Sequence, residues 1–221
     1  MGASRTSTAL VGVVAVLAVA NVARSTVVPS GVHLPFNLAT AAAVVAMGAW
    51  AQLSRAELGL ERDTLGAGIR LGLVVLGVVV VGVAVAAAVS SGSFDDDRAR
   101  VDGATMALRV LVVIPLGTVL VEELIFRGVV HGLLARLTTP TGALVAGAVL
   151  FGLWHVFPAW RGADGDTLHH VGVAVGTLAA TTAAGVGFVW LRTRSGSLAA
   201  PALAHLATNS VTYAAAWLLT R

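Results

Sequence analysis

The sequence predicts an all-α membrane protein, a polytopic transmembrane helical bundle of seven or eight spans. Three observations predict it. The chain is 57% hydrophobic and only 11% charged, where a soluble domain carries roughly 25% charged residues. Its mean hydropathy is +0.89. Its apolar residues gather into seven segments, each near the ~20 residues that a helix needs to cross a bilayer.

The segments are 8–24, 38–53, 69–90, 104–137, 141–158, 168–191 and 198–219. The first follows Arg5 and contains Ala18-Val19-Ala20, as a signal peptide would; the many spans after it favour an uncleaved first helix. The fourth is too long for one simple span. At ~1.5 Å per residue it measures about 50 Å, so it tilts, protrudes or breaks near Pro115 or Gly128, and a break would supply an eighth helix. Residues 55–63 read as a polar connector with a short interfacial helix. Residues 91–103 read as a loop whose Asp95, Asp96 and Asp97 lack the alternating ligands of an EF-hand and look like solvated charge. Residues 158–168 form a second polar loop. The chain has no internal repeat, which weighs against an inverted-repeat transporter.

With the N-terminus cytoplasmic, Arg5, Arg55, Arg62, Arg70, Arg136, Arg192 and Arg194 fall inside. Arg24, Arg98, Arg100, Arg161 and Arg221 fall outside, and Arg109 lies near the outer boundary. That is a small excess on the inside. The basic residues, all arginine, sit dispersed at the ends of apolar runs, so the net charge of +3 does not indicate nucleic acid. Cysteine is absent, which excludes disulfides, thiol nucleophiles and thiolate metal sites. An arginine-only, cysteine-free chain of this size points to a multi-pass protein of a bacterial plasma membrane. Residues 1–221 are expected to form a single integral membrane domain.

Polar groups inside apolar runs carry the chemistry. Glu122-Glu123-Leu124-Ile125-Phe126-Arg127 places two acids in the fourth segment. A charge at the bilayer centre costs on the order of 2.5–3.5 kcal/mol. Glu123 and Arg127 are four apart on one helix face, acid first, the better order for an ion pair. Glu122 points about 100° away. Arg127 can therefore neutralise Glu123 and leave Glu122 free as a general base; a structural Glu–Arg pair is the plainer alternative. In the fifth segment Phe151 and His155 share a face, and Ala148 and Gly152 offer a small-residue surface for close helix contact. In the last segment His205 and Asn209 share a face, suited to a water, a metal ion or an oxyanion, or simply to interhelical hydrogen bonds. Counted from one side of the membrane, Glu122 lies about 22 Å deep, His155 about 21 Å, Asn209 about 16 Å and His205 about 10 Å. The four can share one cavity.

These motifs, Glu-Glu-x-x-x-Arg, Phe-x-x-x-His and His-x-x-x-Asn in order on separate spans, resemble the CAAX protease and bacteriocin-processing (CPBP or Abi) family of intramembrane proteases, to which the Ras-converting CAAX endopeptidase belongs. The flanking FRGVVHGLL and WLRTRSGSLAAPALAH are also similar. The resemblance covers roughly 104–215, which would be the catalytic core; 1–100 carry no motif. It implies that Glu122 activates water, that His155 helps to hold that water, and that His205 and Asn209 stabilise the oxyanion. Glu123, Arg127 and Phe151 would support them. If a metal takes part, the resemblance implies zinc on Glu122, His155 and His205, the three protein ligands of a catalytic site; otherwise no cofactor is expected. The expected activity is that of a membrane-embedded endopeptidase acting on a peptide or membrane-protein substrate within the lipid bilayer. Two rivals are a non-catalytic membrane peptide-binding or bacteriocin-immunity protein, and a proton-coupled transporter that uses Glu122 and His155 as a relay.

Overall fold

The computed structural model describes residues 2–221. Helix α1 runs Gly2–Thr26, α2 His33–Trp50, α3 Arg55–Leu58 and α4 Arg62–Val89. Helix α5 runs Gly103–Leu137, α6 Pro140–Gly162 and α7 Thr167–Ser195. Helix α8 joins Ala199–Leu206, Ala207–Val211 and Thr212–Leu219 without interruption. Among the described residues, six helices are long and apolar enough to cross a membrane, so the protein is an integral, multi-pass membrane protein. Helix α8, about 30 Å long at the usual rise, is not among the six; His205, Asn209 and Ser210 lower its hydropathy. Membrane-facing surface is plain on α4, where Leu73, Val74, Val78, Val81 and Val85 are all exposed.

The break expected near Pro115 or Gly128 does not occur, so no eighth helix arises. Helix α5 stays continuous by widening. Arg109–Val113, Pro115–Leu120 and Glu123–Val130 are π-helical. A proline lacks the N–H of a normal turn, and a wider turn absorbs the misfit. π-Turns inside helices are rare and gather at functional sites; one here starts at Glu123 and another, Ala207–Val211, contains Asn209.

The expected 158–168 loop is shorter, because α6 continues through Pro158 to Gly162. Pro158 has no N–H for the carbonyl four residues back, which is that of Trp154. Asn21 of α1 fills the gap: its Nδ2 donates to Trp154 O at 2.9 Å. Two similar bonds hold α5. Asn37 of α2 donates to Gly117 O (2.8 Å) and Ser210 of α8 to Val110 O (3.2 Å). Where backbone pairing is disturbed in an apolar medium, a neighbouring helix supplies the partner.

Helix α5 is the axis of the bundle. Ile125, Val129, Val130 and Leu133 are fully buried, enclosed by α1, α2, α6 and α8. Helices α6 and α7 pack along their length. A Cβ on Gly185 would sit 3.0 Å from the Ala148 Cα, and one on Gly152 would strike Thr182. The small-residue face on α6 is thus used for close packing. Helix α3 caps this end of the bundle: Arg136 reaches Glu57, Ala51 O and Gln52 O, and Arg192 reaches Ala56 O and Glu57 O.

Candidate active site

The motif residues meet where α5, α6, α7 and α8 converge. Glu123 and Arg127 form the buried foundation. Glu123 is 1% exposed and Arg127 0%. Arg127 Nη1 donates to Glu123 Oε1 at 3.0 Å. Phe151 covers the guanidinium at 3.9 Å and Phe188 at 4.8 Å, measured to the ring centres. Cation–π contacts of this desolvated kind contribute about 2 kcal/mol or more. They stand in for hydrogen bonds that Arg127 Nε and Nη2 lack.

Glu123 also fixes His205. His205 Nδ1 lies 2.8 Å from Glu123 Oε1. A carboxylate only accepts, so Nδ1 carries the hydrogen. Nε2 of the neutral ring is then a lone pair, and Asn209 Nδ2 donates to it at 3.2 Å. Phe188 stacks on the same imidazole, with ring centres 4.9 Å apart. On α6, His155 Nδ1 lies 2.8 Å from Phe151 O. It donates to that carbonyl, and the Nε2 of the neutral ring becomes an acceptor aimed at Glu122.

Glu122 stands apart from the Glu123–Arg127 pair, as the helix geometry required. Its Oε1 accepts from the Trp154 indole at 3.3 Å. Its Oε2 is buried and has no hydrogen-bond partner. That oxygen lies 3.7 Å from His155 Nε2 and 3.8 Å from His205 Nε2. These spans are too long for direct hydrogen bonds. All seven residues singled out in the sequence are therefore gathered in one place: Glu122, Glu123, Arg127, Phe151, His155, His205 and Asn209. Trp154, Phe188 and Asn21 were not singled out. Only Trp154 had a signal, as the residue beside His155. Phe188 lies in a plain apolar run, and Asn21 acquires its partner only through the missing N–H of Pro158.

Among the described residues, no three His, Asp or Glu side chains come together as a metal-holding group. His205 Nε2 is already engaged by Asn209. As placed, Glu122, His155 and His205 do not form such a group.

Two cavities approach the site. One, of about 700 Å³, reaches Asn209 and is lined by Ala86, Phe94, Ile114 and Tyr213 among others. The other, of about 340 Å³, is an apolar groove between α1 and α6 that reaches Trp154 and Phe126.

Residues 104–211 match the family model described as Type II CAAX prenyl endopeptidase Rce1-like. No curated protein and no solved structure matches the chain. The matched segment, just under half of the chain, holds all three motifs and every site residue but Asn21, and over it the chain is similar to the Rce1-like type II CAAX prenyl endopeptidases.

Proposed function

We propose that the protein is an intramembrane endopeptidase in which Glu122 activates water. The observation that carries this reading is the buried, unpartnered Glu122 Oε2 facing the His155 Nε2 lone pair. Two acceptors that face each other suit one water, which donates a hydrogen to each and keeps a lone pair for attack. The substrate carbonyl lies against the Asn209 amide, which donates to the developing oxyanion. Water oxygen bonds to the carbonyl carbon as Glu122 takes a water proton. The C–N bond then breaks, and the same proton passes to the leaving amine. Glu123 and Arg127 act through His205: they hold its ring so that Asn209 is oriented. The apolar walls exclude bulk water and strengthen each electrostatic contact.

The groove between α1 and α6 favours a lipid-bearing substrate. Val14, Leu17, Val22, Leu150, Leu153 and Phe157 line it, and the matching family is that of a CAAX prenyl endopeptidase. An isoprenoid chain in that groove would bring its peptide to Trp154. Leu153→Trp should then raise KM about tenfold for a farnesylated peptide and leave an unprenylated one unchanged.

The test of the main reading is cleavage of a quenched-fluorescent peptide library by purified protein in detergent. Glu122→Ala and His155→Ala should each lose at least ~100-fold, within the range of general acid–base effects, while helical content is kept. Full activity in either folded variant overturns the reading.

A further inference from the structure

The larger cavity holds a cation that the proposed reaction does not use. Two arginines line it, with different fates. Arg98 is held by Asp96, with Nε at 3.0 Å from Oδ1 and Nη2 at 2.8 Å from Oδ2. That guanidinium keeps the Asp96 carboxyl below its usual range, so the two charges cancel each other. Arg109 has no carboxylate. Its Nη1 donates to Arg98 O (2.7 Å) and to Tyr213 Oη (2.8 Å), both neutral oxygens. Tyr213 in turn donates to Arg98 O (2.8 Å). No described residue accepts from Arg109 Nε or Nη2. One edge of the guanidinium is pinned and the other is unused, in a half-buried position on a largely apolar cavity wall. With Asp96 and Arg98 offsetting each other, Arg109 leaves the lining with one net positive charge.

A fixed planar fork of this kind binds a carboxylate through paired hydrogen bonds. Its distance from the site sets where that carboxylate lies. Asn209 and Tyr213, both on the cavity wall, are four residues apart, about 6 Å along the helix, and the tyrosine side chain carries Arg109 further out. An extended peptide advances about 3.3 Å per residue. We propose that Arg109 is a specificity-determining residue that receives a carboxylate of the peptide substrate, two to four residues from the scissile bond. This rests on the protease reading above for the position of the scissile carbonyl. The carboxylate has two possible sources, the chain's C-terminus and an acidic side chain, which share this chemistry.

Binding tests it without turnover. The full chain carrying Glu122→Gln, in detergent, is titrated with fluorescent degenerate octapeptides in three forms: free acid, C-terminal amide, and amide with a fixed Glu at each position in turn. The free acid, or a Glu amide at one position, should bind about tenfold tighter than the plain amide. Adding Arg109→Gln should erase that preference, and Arg109→Lys should retain part of it, at unchanged melting temperature. Equal affinity for all three forms overturns the proposal. So does an Arg109→Gln effect equal on all forms, or one confined to vesicles of anionic phosphatidylglycerol, which would assign the cation to a lipid headgroup. Wild-type cleavage without the preference leaves the protease reading standing and this one not. The preference without any wild-type cleavage overturns the protease reading and leaves Arg109 only as a carboxylate-binding residue, with no scissile bond to measure from.

Discussion

Glu122 and Glu123 are neighbours in sequence with opposite surroundings. Glu123 accepts from Arg127 and His205 through one oxygen; Glu122 keeps a bare oxygen toward two imidazoles. The four-residue spacing to Arg127 made this partition legible before any coordinates. The indole donor to Glu122 was not legible, because a tryptophan in an apolar span reads as a packing or lipid-facing residue. Its role is measurable. Trp154→Phe keeps the ring and removes the N–H. A hydrogen bond to a charged group contributes about 1.5–3 kcal/mol, so kcat should fall tenfold or more with KM little changed. Michaelis–Menten kinetics check this, and an unchanged kcat removes Trp154 from the site.

At the scale of elements, helix ends followed from hydropathy to within seven residues, because a span in lipid must be apolar and long. The π-turns of α5 and α8 did not follow. A 3.6-residue period was read through them, and a widened turn carries no composition signature beyond Pro115. The side-chain bonds that mend disturbed backbone, such as Asn21 to Trp154 O, require tertiary contact and so escape a one-dimensional reading. Close packing of α6 on α7 was visible as small residues, and it yields a paired prediction. Gly185→Leu forces a side chain onto the Ala148 backbone. Overpacking costs about 1–3 kcal/mol, so the melting temperature in detergent should drop. Gly187, two residues on, faces open space, and Gly187→Leu should leave it unchanged or slightly raised. Equal effects would mean that α6 and α7 do not pack this way.

On the scale of the whole molecule, three motif-bearing helices meet a fourth, α7, that carries no motif but supplies Phe188 to the Arg127 cage. The N-terminal spans carry no motif either, yet α1 supplies Asn21 and one wall of the apolar groove, and α4 packs on α8. Depth counted along the sequence was enough to bring Glu122, His155, His205 and Asn209 together. It could not say which ring nitrogen faces which oxygen. His155 Nδ1 on Phe151 O and His205 Nδ1 on Glu123 set both rings, and Asn209 then occupies His205 Nε2.

In the proposed reaction Glu122 activates water without a metal. The most direct measurement is the initial cleavage rate of one peptide substrate by wild type and Glu122→Gln. Each is dialysed against a chelator and assayed with and without added zinc. The account predicts a full wild-type rate after chelation, no gain from zinc, and a loss of about 10³-fold or more in Glu122→Gln, within the range for a general base. A wild-type rate that vanishes on chelation and returns with zinc, or a Glu122→Gln rate equal to wild type, would contradict it.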